Sequence, residues 1–261
     1  MAEKTKTVLS VGATGSIGRL VVKDLLEAGY KVRALVRNAK KADLPEDAEL
    51  FEGQLTDPAT LKGLTEGVDG VVFTQGGSML RIRAVDYGGT VNVLRAFGKR
   101  RPWVVLMTAV SVTARDGAYN RLTHSADWKR RAERLVRASG LPYTIVRPGW
   151  FDCNKPDEQK IIWRHGDKFV SGTPKDGAIS REEIAKTLTA SLFNPLAQGK
   201  TFEIVAEKGP ATTDFDALFK DIPSDVKGAE DAPEDNPNQP LSQEPADVLE
   251  DLKAIAKQFS D

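Results

Sequence analysis

The sequence predicts an α/β fold: a doubly wound parallel sheet with a small C-terminal lobe. Three observations predict it. Strand-like and helix-like segments alternate from residue 8 to residue 146. The strand segments are unbroken apolar runs, such as Val104-Val105-Leu106, which suits strands covered by helices on both faces. The first strand also runs straight into glycines at 12, 15 and 18, with an amphipathic pattern opening behind them. Such alternation is the mark of helices crossing between parallel strands.

The elements follow in order. Val8–Val11 reads as the first strand, Arg19–Ala28 as the first helix and Val32–Val36 as the second strand. Glu49–Phe51 is a short third strand, and Asp57 has the chemistry of an N-cap for Thr60–Leu64. Val71–Phe73 is the fourth strand, Val85–Phe97 a helix and Trp103–Met107 the fifth strand. Ala126–Ser139 is a helix closed by Gly140, and Tyr143–Val146 the sixth strand. Beyond Pro148 the pattern loosens. Ile161–Trp163 and Lys168–Val170 read as a hairpin around His165-Gly166-Asp167. Ser180 and Glu183 form a capping box for a helix reaching about Phe193; a strand at Thr201–Val205 and a short helix at Asp214–Phe219 follow.

Residues 224–245 differ from the rest. They hold Pro233, Pro237, Pro240 and Pro245, and acids at 225, 230, 231, 234, 235 and 244 against the single base Lys227. Such a composition resists ordering and reads as a linker. Val248, Leu252, Ile255 and Phe259 then recur on one face of a terminal helix. The expected division is residues 1–223 as a nucleotide-binding domain with its lobe, 224–245 as the linker and 246–261 as the terminal helix. That helix either packs on its own domain or a dimer mate, or docks on another protein.

Composition excludes several classes. Lys plus Arg equals Asp plus Glu at 37 each, so no global field favours nucleic acid. The single cysteine, Cys153, excludes an internal disulfide framework. Two histidines and one cysteine, widely spread, make no metal site. No run approaches the ~20 apolar residues of a membrane helix. The expected setting is the cytoplasm, with an organellar stroma equally compatible.

The glycine turn carries the chemistry. Between a strand and a helix, Gly12, Thr14, Gly15, Ser16, Ile17 and Gly18 let the backbone approach a pyrophosphate and aim helix N-terminal N–H groups at it. This is the Rossmann-type arrangement in its confirming context. An NAD site places an acid near the end of the second strand; residues 31–41 contain none. Arg37 falls at that strand end and suits the 2′-phosphate of NADP, with Lys40 and Lys41 close behind or merely solvated. Gln54 is expected by the adenine, and Gln75 and Gly76 by the adenosine ribose.

Two further blocks make a resemblance visible. Asp127-Trp128-Lys129-Arg130-Arg131 and Leu141-Pro142-Tyr143-Thr144-Ile145-Val146-Arg147-Pro148-Gly149 join the GATGSIG turn and Ala34-Leu35-Val36-Arg37-Asn38. Together they resemble the atypical short-chain dehydrogenase/reductases, above all the NmrA-like NAD(P)-binding group with its flavin and biliverdin reductases. The resemblance spans about residues 5–222. It implies that Lys129 sits by the nicotinamide ribose, that Pro148 and Gly149 approach the carboxamide, and that Thr108 to Ser111 border the nicotinamide face. Lys129, Thr108 and Ser111 are thus the candidate catalytic residues. The larger family's active site is Tyr-x-x-x-Lys, yet Ser125 stands four residues before Lys129. An aliphatic hydroxyl is a poor general acid.

The implied function is NADPH-dependent hydride transfer to a small, easily reduced acceptor: a quinone, flavin or conjugated carbonyl. The alternative is a non-catalytic NADP(H)-reading sensor or scaffold acting through a protein partner. Tyr119 and His124 are weighed as substitute proton donors, Cys153 as an accessible thiol, and Trp150 and Phe151 as either stacking surfaces or core. The basic helix Lys129, Arg130, Arg131, Arg134, Arg137 is read as solvated, as a docking face, or as a receiver for the chain's own acidic segment.

Overall fold

The computed structural model describes residues 5–260; residues 1–4 and 261, the outermost parts of the expected spans 1–223 and 246–261, lie outside it. The strands are β1 (Thr7–Val11), β2 (Lys31–Val36), β3 (Glu49–Glu52), β4 (Gly70–Phe73), β5 (Trp103–Met107), β6 (Tyr143–Pro148), β7 (Trp150–Phe151), β8 (Lys160–Arg164), β9 (Ala178–Ile179) and β10 (Lys200–Glu207). Eight of them form one sheet in the order β3-β2-β1-β4-β5-β6-β10-β8. Every neighbouring pair is parallel except β10 with β8 at the edge. β7 and β9 form a separate parallel pair. The order reverses between β1 and β4, and α/β sheets bind ligands at such a switch point.

The helices are α1 (Gly18–Glu27), α2 (Gly89–Ala96), α3 (Ala118–Thr123), α4 (Ser125–Ala138), α5 (Arg181–Ser191), α6 (Phe215–Lys220) and α7 (Ala246–Phe259). A strand sends alternate side chains to opposite faces. Val8, Val72, Val105 and Val146 therefore pack with Val21 and Leu25 of α1, Leu188 of α5 and Phe219 of α6. Leu9, Val71, Phe73, Val104 and Leu106 pack on the other side with Leu94 of α2 and Leu135 of α4. Both faces being covered explains why the strands lack polar alternation.

The turn after β1 is set by close approach. Gly12 has a φ of +86°, and a Cβ there would lie 2.6 Å from the Gln75 nitrogen. A Cβ on Gly18 would overlap the Gly12 carbonyl oxygen. These two glycines close the turn on itself.

Two expectations change in the lobe and tail, and one alternative is settled. The hairpin does not form. β8 pairs instead with β10, Ile204 opposite Trp163, because β10 offers an eight-residue edge with its hydrogen-bonding groups open. Lys168–Val170 is no strand, and Phe169 and Val170 are half exposed. Residues 224–245 do not trail free either. They form a strap laid along α4. Asp231 accepts from Arg130 and Arg134 at 2.7–2.9 Å, and Glu244 accepts from Arg131 at 2.5 Å and Arg134 at 2.8 Å. Asp225 meets Arg137, and Asp235 meets Arg147 on β6. Buried guanidinium groups must be paired, and this segment supplies the carboxylates. The terminal helix packs on its own chain. Val248, Ile255 and Phe259 are buried in the core beside α2 and α4, and Tyr87 donates to Asp251 at 3.0 Å.

Candidate functional site

The glycine turn presents unpaired backbone donors. The N–H groups of Thr14, Ser16 and Ile17 have no acceptor among the described residues. Unpaired donors at a helix start, with the positive end of its dipole, favour a phosphate. No side chain caps α1 at Ile17, which leaves those donors free.

A cavity of about 420 Å³ opens on one side of the turn, reached by Gly12, Thr14, Gly15, Arg37, Gln54, Gln75 and Gly76. Arg37 is exposed there and has no partner among the described residues. Gln75 anchors its amide nitrogen on Thr90 at 3.1 Å, while its Oε1 is buried without a partner among them. A Cβ on Gly76 would meet nothing within 4 Å. The protein's own packing thus does not require glycine at 76; the space belongs to the cavity. An orphaned acceptor, an unspent guanidinium and three free N–H groups fit the adenosine and phosphates of a dinucleotide.

A second cavity of about 550 Å³ lies toward the lobe, walled by Ala109–Val112, Tyr119, Ser125, Lys129, Pro148–Phe151 and Val170–Gly172. Its wall is mostly apolar. Lys129 Nζ donates to Asp86 Oδ1 at 2.5 Å, and the other oxygen of Asp86 accepts the Gly77 N–H at 2.7 Å. Asp86 is 5% exposed and sits on a π-helical stretch, Arg83–Gly88, that leads into α2. Such a bulge re-aims a side chain that a regular helix would point elsewhere. One carboxylate therefore ties the loop of the first cavity to the lysine of the second.

The structure divides the residues singled out from sequence. Lys129, Ser111, Pro148 and Gly149 meet at the second cavity, and Arg37, Gln54, Gln75, Gly76, Gly12, Thr14 and Gly15 at the first. Ser16 stands at the turn; Ile17 and Gly18 are buried beneath it. Thr108 is not in either wall. It is 4% exposed and donates to Glu133 Oε1 at 2.7 Å. His124 points to solvent beside Asp127, outside the cavity. Tyr119 lines the cavity but is 63% exposed. Cys153 is exposed and does not line the cavity wall. Trp150 and Phe151 are wall residues.

Behind Thr108 lies a buried ionic cluster. Arg147 donates to Glu133 at 2.7 and 3.0 Å and to Asp235 at 2.7 Å, with Glu203 at 3.5 Å. Burial pushes the Glu133 carboxyl up, but Arg147 and Arg137 outweigh it and hold it below the ordinary range. Glu203 lies farther from the guanidinium; burial raises it to about 7, with Arg147 only partly opposing. Asp167, also raised by burial, accepts the backbone N–H groups of Ser111 at 2.5 Å and Thr113 at 2.8 Å. The cluster thus fixes the loop that walls the second cavity.

Sequence reading missed Asp86, Arg81 and Arg181. Asp86 had one signal, a lone carboxylate on the apolar face of a helix. Arg81 lines the first cavity, and Arg181 Nε donates to Ser16 Oγ at 3.0 Å; neither sits in a motif.

Comparison with known proteins agrees with this geometry. A family model described as NAD(P)H-binding matches residues 12–195. Sanguinarine reductase of Eschscholzia californica is 26% identical over 85% of this chain and 98% of its own length. The UPF0659 protein YMR090W of Saccharomyces cerevisiae is 31% identical over 78% of this chain and 94% of its own. A Veillonella parvula short-chain dehydrogenase/reductase, solved in complex with NADP, superposes with a TM-score of 0.59 at 19% identity, covering 77% of this chain and 94% of that one. The unspent donors at the turn, the parallel sheet that carries it and the family match converge: the chain belongs to the NAD(P)H-binding family.

Proposed function

We propose that the chain is an NADP(H)-dependent reductase that passes hydride to a flat, easily reduced acceptor such as a quinone, flavin or conjugated carbonyl. The observation that carries this reading is the pair of cavities flanking one glycine turn. The first ends in a free guanidinium; the second is apolar and lacks an aromatic hydroxyl at the position four before Lys129. The name of sanguinarine reductase and the NADP bound by the Veillonella parvula protein support the same class.

The nicotinamide cofactor supplies the hydride when bound. The chain's part is holding and excluding. The turn's N–H groups take the pyrophosphate, Arg37 the 2′-phosphate, and Gln54 and Gln75 the adenosine end. Lys129, aimed by Asp86, holds the nicotinamide ribose. Trp150 and Phe151 wall the acceptor's plane. Ser125 is a poor proton donor and the Tyr119 side chain stands largely in solvent, so the proton for the reduced acceptor comes from water at the open mouth. Positioning supplies most of the rate.

The test is NADPH oxidation with menadione, FMN and a simple aliphatic ketone. Turnover of the first two and none of the ketone is expected, because only the ketone needs an enzyme acid. Faster ketone reduction, or no calorimetric binding of either NADPH or NADH, overturns the reading.

A further inference from the structure

We propose that Arg181 is the residue that grips the dinucleotide's diphosphate, lent to the turn by the C-terminal lobe and shared with Asp152. The proposal rests on the cofactor reading above.

Arg181 is the first residue of α5. The Ser180–Glu183 capping box fixes the backbone there, with Glu183 N donating to Ser180 Oγ at 3.2 Å. From that position the side chain crosses to the other end of the molecule's sequence. Its Nε donates to Ser16 Oγ at 3.0 Å, in the middle of the anion cradle. Its Nη1 pairs with Asp152, whose other oxygen accepts the Arg181 backbone N–H at 2.9 Å. The guanidinium carbon stands 5.2 Å from the centre of the Phe151 ring, on the wall of the second cavity. Nη2 has no acceptor among the described residues.

A diphosphate on the cradle brings charge that three N–H groups and a helix dipole only partly offset. The other arginine at the turn, Arg19, is turned away: it pairs with Asp43 at 2.6 Å and donates to the Thr14 carbonyl. Arg181 is already anchored beside Ser16, and its fork can bridge two phosphate oxygens with Nη1 and Nη2. Asp152 holds it in place until the stronger anion arrives. The residue is 34% exposed, so little of the fold depends on it.

Calorimetry on the full chain tests this with three probes: NADPH, 2′-phospho-ADP-ribose and adenosine 2′-monophosphate. In Arg181→Ala the first two should weaken about 10- to 100-fold, the loss of one charge-assisted contact, while the monophosphate stays within about twofold. Arg181→Lys should recover part of the loss, and Asp152→Asn should bind NADPH at least as tightly as the wild type. Unchanged NADPH affinity in Arg181→Ala overturns the proposal, as does an equal loss for all three probes, which would report a damaged turn. If the wild-type chain binds none of them, the cofactor reading itself falls and the proposal with it.

Discussion

Two sets of arginines in this chain face opposite fates. Arg130, Arg131, Arg134, Arg137 and Arg147 are all under 10% exposed, and each is matched to carboxylates of the strap or the sheet. Arg37 stands at a strand end in an open cavity with no partner among the described residues. The side chain is the same; the difference is whether its charge has been spent inside the fold. A guanidinium matched by buried carboxylates is architecture; one left open in a cavity is free to meet what enters it.

The comparison breaks most readily at the buried set. Glu133→Ala strips Arg147 and Arg137 of a shared partner inside the core and should destabilise the chain by roughly 3–5 kcal/mol in urea unfolding. A loss below about 1 kcal/mol would mean that the cluster is not the scaffold described. A second effect is pH-linked. Glu203 has an ordinary value of 4.5 and about 7 in the fold. A carboxyl raised on folding favours the folded state when protonated, so its contribution is full below about pH 4.5 and is lost as pH rises through about 7, roughly 3 kcal/mol in all. Glu203→Gln should flatten that part of the stability profile; an unchanged slope would refute the assignment. Asp231 acts with the opposite sign. Burial raises it, but its hydrogen bonds with Arg134 and Arg130 hold it well below the usual range, so its support is present above about pH 4 and lost in acid. The smallest change in stability belongs to the free arginine. Arg37→Glu should move unfolding by no more than about 0.5 kcal/mol. It should nevertheless weaken NADPH about 10- to 100-fold and spare NADH. Equal loss of both nucleotides would remove Arg37 from the 2′-phosphate.

The sheet and the turn were legible because their signals are local. Val104-Val105-Leu106 carries its burial on its face, and a strand leading into Gly12, Gly15 and Gly18 dictates its own geometry. Failures came where the partner lies far along the chain. Ile161–Trp163 looked to its nearest apolar neighbour, but its strand pairs with Glu203–Glu207, some forty residues on. Acids and prolines at 224–245 read as unordered, since composition does not know that Arg130 and Arg134, about a hundred residues earlier, point the same way. Their spacing of four, with Arg137 one turn on, was the available hint. Thr108 was placed at the correct strand end but faces inward to Glu133, a choice between two sheet faces that the loop after β5 decides.

The strap gives the molecule a neutrality that is local as well as global. Its acids cancel a concentrated positive stripe, so a chain truncated before Asp225, without strap or α7, would unmask that stripe at one stroke. The remnant would cling to polyanions such as heparin or nucleic acid for which the intact surface offers no stripe. Drift in the strap's order or length is therefore tolerable, provided that each guanidinium still finds its counter-ion.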